Sequence, residues 1–100
     1  MSERNQVVVS GRLIEVAPVR YTPAGIPAIE FKIAHESQQL EAGIERQVRC
    51  EIPCVCLGEP ATAIAKYAVD EEIVVKGFFA ARSRRWLSSL VLHVTRHARP

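Results

Sequence analysis

Apolar and polar residues alternate along most of the chain. Over residues 6–16, Val7, Val9 and Leu13 fall on one side and Val8, Ser10 and Arg12 on the other, the period of a strand with one buried face. Gly11 interrupts this strand. An in-strand glycine marks a bend or bulge, which a first strand serving both sides of a small barrel needs. Residues 17–27 contain Pro18, Pro23, Gly25 and Pro27 and predict a loop. A second strand is predicted over 28–35, with Ile29, Phe31 and Ile33 inward and Glu30, Lys32 and Ala34 outward. The polar residues 36–45, with Gly43, predict a hairpin loop, and 46–57 a third strand. Pro53 lacks a backbone donor, which places it at an edge or bulge. After Gly58, residues 59–68 predict a short helix, with Pro60 in the first turn and Ile64 and Ala68 on one face. A fourth strand, 71–81, is apolar on both faces: Ile73, Val75 and Phe79 against Val74 and Phe78. It is expected to be covered on both sides, by the barrel wall or by a partner. Residues 82–86 interrupt the pattern, and a last strand at 87–95 sets Leu90, Leu92 and Val94 on one face.

Three strands, a short helix and two strands is the element order of an all-β, five-stranded OB-fold: a Greek-key barrel with its helix between the third and fourth strands. The 100 residues suit one such domain over 1–100, with a core at about 6–97. In this fold the second and third strands, with the loops after the first and fourth, usually form the binding face.

Composition narrows the class. Hydrophobic residues make up 48% and charged residues 24%, values of an ordinary globular protein rather than a disordered one. No apolar run approaches the ~20 residues of a membrane span, and the opening MSERNQ is polar, without a signal-peptide core. A cytoplasmic protein with no membrane association is expected. Three cysteines, an odd count without a secretion signal, argue against a disulfide framework. Strand parity puts Cys50, Cys54 and Cys56 in one apolar stripe with Val48 and Ile52. Buried free cysteine behaves as a small hydrophobe, and the paired C-x-x-C spacing of zinc sites is absent. No metal or other cofactor is expected.

The net charge is only +2, but it is unevenly placed. Beyond Glu72 there is no acidic residue, against Lys76, Arg82, Arg84, Arg85, Arg96 and Arg99; the other seven basic and all 11 acidic residues precede Lys76. One-sided positive charge is the footprint of a polyanion-binding surface, or of a solubilising rim.

Local motifs then point to a family. Ser10-Gly11-Arg12-Leu13, Pro18 and Arg20-Tyr21-Thr22-Pro23-Ala24-Gly25, followed by Phe31, are similar to the opening of bacterial single-stranded DNA-binding proteins (SSB). Gly25-Ile26-Pro27, Phe31, Glu41-Ala42-Gly43, Arg46-Gln47, Cys50, Pro53 and Val55, with Gly77-Phe78, Leu87-Ser88 and Val91-Leu92-His93 near the close, resemble the SSB-like family of primosomal replication protein N (PriB). The basic close at Arg99-Pro100, without the acidic tail of SSB proteins, fits the same family. The resemblance implies a homodimer packed partly through its first strands, single-stranded DNA binding at replication restart, contact with the PriA helicase, and DnaT as a later partner in some bacteria.

Binding a single strand needs cations along the phosphates and flat groups on which bases stack. The segment Arg82-Ser83-Arg84-Arg85-Trp86 holds both, and Arg82 and Arg84 match the family's basic loop. Trp86 stacks on a base, worth ~1–3 kcal/mol, or packs at the loop base or dimer interface. Arg20 and Tyr21 belong to the loop after the first strand. Lys32 lies on the outer side of the second strand, and Arg46 and Arg49 on the third, where an arginine meets bases and phosphates or forms an exposed ion pair with a neighbour. PriB proteins can carry aromatics where Ile44 and Arg49 stand here, which implies weaker, more salt-sensitive binding. The expected nucleic-acid-binding set is Arg20, Tyr21, Lys32, Arg46, Arg49, Arg82, Arg84, Arg85 and Trp86.

Nothing points to catalysis. His35, His93 and His97 lack metal-ligand spacing, neither a G-x-x-x-x-G-K loop nor a G-x-S-x-G elbow is present, and Asp70-Glu71-Glu72 reads as a solvated turn. The competing expectation is an OB-fold protein–protein adaptor with vestigial DNA binding; a small metal or thiol enzyme using Cys50, Cys54 and Cys56 is disfavoured by parity.

Overall fold

The computed structural model describes residues 3–100. Among them, β1 (Val7–Val16), β2 (Arg20–Tyr21), β3 (Pro27–Glu41), β4 (Ile44–Leu57), β5 (Glu72–Ser83) and β6 (Trp86–Ala98) form one sheet, with helix α1 (Glu59–Ile64) between β4 and β5. The strand order is β1-β5-β6-β4-β3-β2, and β1 also pairs with β3. That second pairing closes β1, β3, β4, β5 and β6 into the expected OB-fold barrel. β1 pairs with β5 from Val7 to Arg12 and with β3 from Arg12 to Val16. The handover falls beside Gly11, where a Cβ would lie 2.7 Å from the Ala34 carbonyl oxygen. The barrel closes through a short parallel contact, Cys54 with Leu92 and Val55 with His93.

The inward positions are those the alternation marked. Leu13, Ile29, Phe31, Ile33, Ile73, Val75, Leu92 and Val94 are buried. Helix α1 plugs one end with Ala61 and Ile64, and complete burial of Ile64 contributes about 1.5–3 kcal/mol. Beyond Val7, Asn5 extends the β1–β5 ladder with its side chain: its amide donates to the Phe79 carbonyl at 2.7 Å and its oxygen accepts the Phe79 N–H at 3.0 Å.

Several expectations need correction, beginning with the loop at 17–27, which holds the two-residue strand β2. Residues 36–45 are not a loop. β3 and β4 pair without interruption out to Glu41 and Ile44, and Ala42 and Gly43, with φ of 53° and 77°, form the two-residue turn. Both turn residues need positive φ for the backbone to follow the strand twist. The resulting arm leaves the barrel, so both faces are wet and the alternation disappears. Cys50 does not join the buried stripe: it lies at the base of this arm, opposite His35, and is exposed, whereas Cys54 and Cys56 are buried. Burial pushes the Cys54 thiol up to about 12 and raises Cys56 as well. The helix stops at Ile64, and Tyr67 rather than Ala68 packs inward. Finally, residues 82–86 hold only a two-residue break, Arg84-Arg85, between strands that are longer than the alternation predicts.

Tyr67 anchors the end of β6. Its hydroxyl is 2.9 Å from His97 Nδ1, and the Arg99 guanidinium lies 4.2 Å from its ring centroid. Arg99 Nε also donates to Glu71 at 2.6 Å. This bond, with the Ala68 N–H, holds the Glu71 carboxyl below its ordinary value.

Within the single chain, Phe78 and Phe79 are partly exposed, at 39% and 36%. The two-sided cover expected for this strand stops where β5 leaves the barrel.

Candidate nucleic-acid interface

Two hairpin arms project from the barrel, β3–β4 and β5–β6. The β4–β6 pairing is confined to Cys54–Leu92 and Val55–His93, so the arms diverge. Their charges differ. The β3–β4 arm, residues 36–49, carries Glu36, Glu41, Glu45, Arg46 and Arg49. The β5–β6 arm, residues 78–91, carries only Arg82, Arg84 and Arg85.

Every cation predicted on β3 and β4 is held by carboxylates. Lys32 Nζ lies 3.7 Å from Glu15 and 3.9 Å from Glu51. Arg46 pairs with Glu41. Arg49 Nε is 3.0 Å from Glu36, its direct partner across the ladder. Lys32 is half-buried and the other members of these pairs are exposed, and each pair is worth about 0–1 kcal/mol. Strand parity also divides the set. Lys32 and Arg49 share the outer face with Glu51, whereas Arg46, three residues from Arg49, faces the other way. One continuous surface of β3–β4 therefore does not present all three.

The β5–β6 arm is the opposite case. Arg84-Arg85 forms its turn, Ser83 and Trp86 close the ladder beneath, and Trp86 is 62% exposed. Among the described residues, Arg20, Arg82, Arg84 and Arg85 form no ion pair. Arg82 also lines a groove of about 430 Å³ with Glu15, Glu30, Lys32, Pro53 and Val91, which joins the outer β3–β4 surface to the arm.

Arg20 and Tyr21 form β2, paired with Ala28 and Pro27 at the edge of the sheet. The following turn explains the R-Y-T-P-A-G motif. Gly25 N–H donates to the Thr22 carbonyl at 2.8 Å, Pro23 occupies the position whose fixed φ suits the turn, and Thr22 Oγ1 accepts the Ile26 N–H at 3.2 Å. Tyr21 is 67% exposed and stands free of the core.

Sequence reasoning missed one feature. The rings of Phe78 and His93 stack with centroids 5.1 Å apart and planes 8° from parallel. Both residues were visible as family motifs, but their cross-strand register was not.

Comparison with known proteins agrees with this architecture. A family described as "another single-strand binding protein family" matches residues 5–96. Replication restart protein PriB of Nitrosomonas europaea is 41% identical over 91 residues, 91% of this chain and 83% of that protein. The Erwinia tasmaniensis protein of the same name is 35% identical over 91 residues, 89% of this chain and 87% of its own. Among solved structures, PriB from Ralstonia solanacearum superposes with a TM-score of 0.85 at 28% identity, covering 96% of this chain and 97% of the other. The single-stranded DNA binding protein of Thermus aquaticus gives a TM-score of 0.74 at 19% identity, over 100% of this chain and 43% of the other; that likeness concerns the fold alone.

Proposed function

Because this chain belongs to the PriB family of replication restart proteins, within a single-strand binding protein family, we propose that it binds single-stranded DNA through its β5–β6 arm and serves replication restart as a cytoplasmic homodimer. The observation that carries this reading is the pairing pattern: among the described residues Arg82, Arg84 and Arg85 have no carboxylate partner and share one hairpin with the exposed Trp86. Unpaired guanidinium groups meet phosphates without first losing a partner, and the indole offers a base a flat face. Arg20 and Tyr21 at the β2 edge add to this contact, and Lys32, Arg46 and Arg49 contribute after exchanging carboxylate for phosphate. On this reading the protein does no chemistry of its own. It presents the strand to the PriA helicase, with DnaT as a further partner.

A second reading, an adaptor whose main role is protein contact, draws on the neutralised β3–β4 face. The two separate in a fluorescence anisotropy titration of a labelled oligo-dT of about 30 nucleotides at low and high salt, beside its duplex. Salt-sensitive preference for the single strand supports the first. Absence of binding even at low salt sinks it and leaves the adaptor, to be tested against PriA directly.

A further inference from the structure

Lys76 on β5 and Arg96 on β6 are direct partners across the ladder, both exposed. Neither forms an ion pair among the described residues. Like charges placed opposite each other in a sheet repel, unless an anion lies between them. Two residues along β5, on the same outward side, is Phe78, with its ring stacked on His93. A groove of about 280 Å³ runs beside this pair, walled by Val55, Leu57, Pro60, Phe78 and His93. From Lys76 through Phe78 to Arg82 the strand covers roughly 20 Å at ~3.4 Å per residue. No acidic residue follows Glu72 in the chain, so neither β5 beyond that point nor β6 brings a competing carboxylate to this face.

We propose that the outer face of the β5–β6 hairpin below the basic turn is a second single-stranded DNA contact, in which a base stacks on the Phe78–His93 pair and a phosphate bridges Lys76 and Arg96. The strand then runs lengthwise along β5–β6, from the Arg84-Arg85 turn to the barrel, and the carboxylate-held cations of β3–β4 are secondary contacts beside this track. Cations and a flat platform spaced along one track are what a single strand recognises. The site rests on the single-stranded DNA reading above and extends it to residues outside the basic loop. A second copy of this chain is the other candidate occupant of so apolar a face. The unpaired cations argue against it, because two such faces packed on each other would bring four positive charges together.

The test uses the full chain and labelled oligo-dT of about 30 nucleotides, with turn variant Arg84→Gln/Arg85→Gln as the reference. Phe78→Leu keeps an apolar side chain but removes the π face, and is expected to weaken binding at least about fivefold, whereas Phe78→Trp retains it. Lys76→Gln/Arg96→Gln is expected to lower the slope of log affinity against log salt by about 1.4, ~0.7 for each cation. Unfolding midpoints check that each variant folds, and sedimentation reports its oligomeric state. If the turn variant loses affinity while Phe78→Leu and Lys76→Gln/Arg96→Gln bind like wild type, the second contact is wrong and the DNA reading stands. If wild type binds no oligo-dT, both fall. If Phe78→Leu changes only the oligomeric state, the face joins copies of the chain and the proposal is overturned.

Discussion

Arg49 sits directly across the β3–β4 ladder from Glu36, with Nε 3.0 Å from the carboxylate. A phosphate that reaches Arg49 must displace that carboxylate or share the guanidinium with it. Glu36→Gln is therefore expected to tighten single-stranded DNA binding about two- to fivefold and to steepen its salt dependence, because it frees one cation for exchange. Glu45→Gln is the control: it removes a charge from the same face, opposite Leu40, without releasing a cation. Anisotropy titrations that give both variants the same steeper slope would contradict the exchange account.

The backbone of β5 passes so close to β6 at Gly77 that a Cβ there would lie 1.8 Å from the His93 carbonyl oxygen. The obstacle is main chain, so no side-chain rotation relieves it. Gly77→Ala is expected to destabilise the fold by about 3 kcal/mol, the upper range for overpacking, while Gly43→Ala, in open space at φ +77°, costs less. Urea unfolding of both variants checks the order.

The three thiols occupy two environments. Cys50 is exposed, and Cys54 and Cys56 are buried. At pH 8 the native protein is expected to react with a thiol reagent at Cys50 alone, and unfolded protein at all three positions. The Cys54 thiol is raised from 9.0 to about 12 by burial, so the folded state holds this proton more tightly than the unfolded chain. Its contribution is complete below pH 9 and is lost as pH rises toward 12. Cys54→Ala is expected to remove part of the alkaline fall in stability, which denaturant midpoints between pH 8 and 11 would show.

The barrel was legible because its strands alternate: Ile29, Phe31 and Ile33 mark an inner face, and Gly11 marks the bend where β1 changes partners. The β3–β4 arm was not, because both its faces meet water and hydrophobic periodicity carries no signal there; only the Ala42-Gly43 turn chemistry hinted at its length. Cys50 was misplaced for the same reason, since strand parity holds along β4 but the core ends before it. Tyr67 escaped because it follows the helix in irregular chain, where period gives no guidance. In the candidate site, three of the six cations that follow Glu72 lie on the β5–β6 arm. The ion pairs that neutralise Lys32, Arg46 and Arg49 needed the cross-strand register, which residue types alone do not supply.

The central claim, that DNA affinity resides on the β5–β6 arm, is tested most directly by comparing two triple variants in salt titrations with the same oligo-dT. Arg82→Gln/Arg84→Gln/Arg85→Gln removes three unpaired cations and is expected to reduce the magnitude of the salt slope by about 2, with a large loss of affinity. Lys32→Gln/Arg46→Gln/Arg49→Gln removes three cations already held by carboxylates and is expected to change the slope by less than about 1. An equal or larger loss in the second variant would place the DNA on the β3–β4 face and contradict the account.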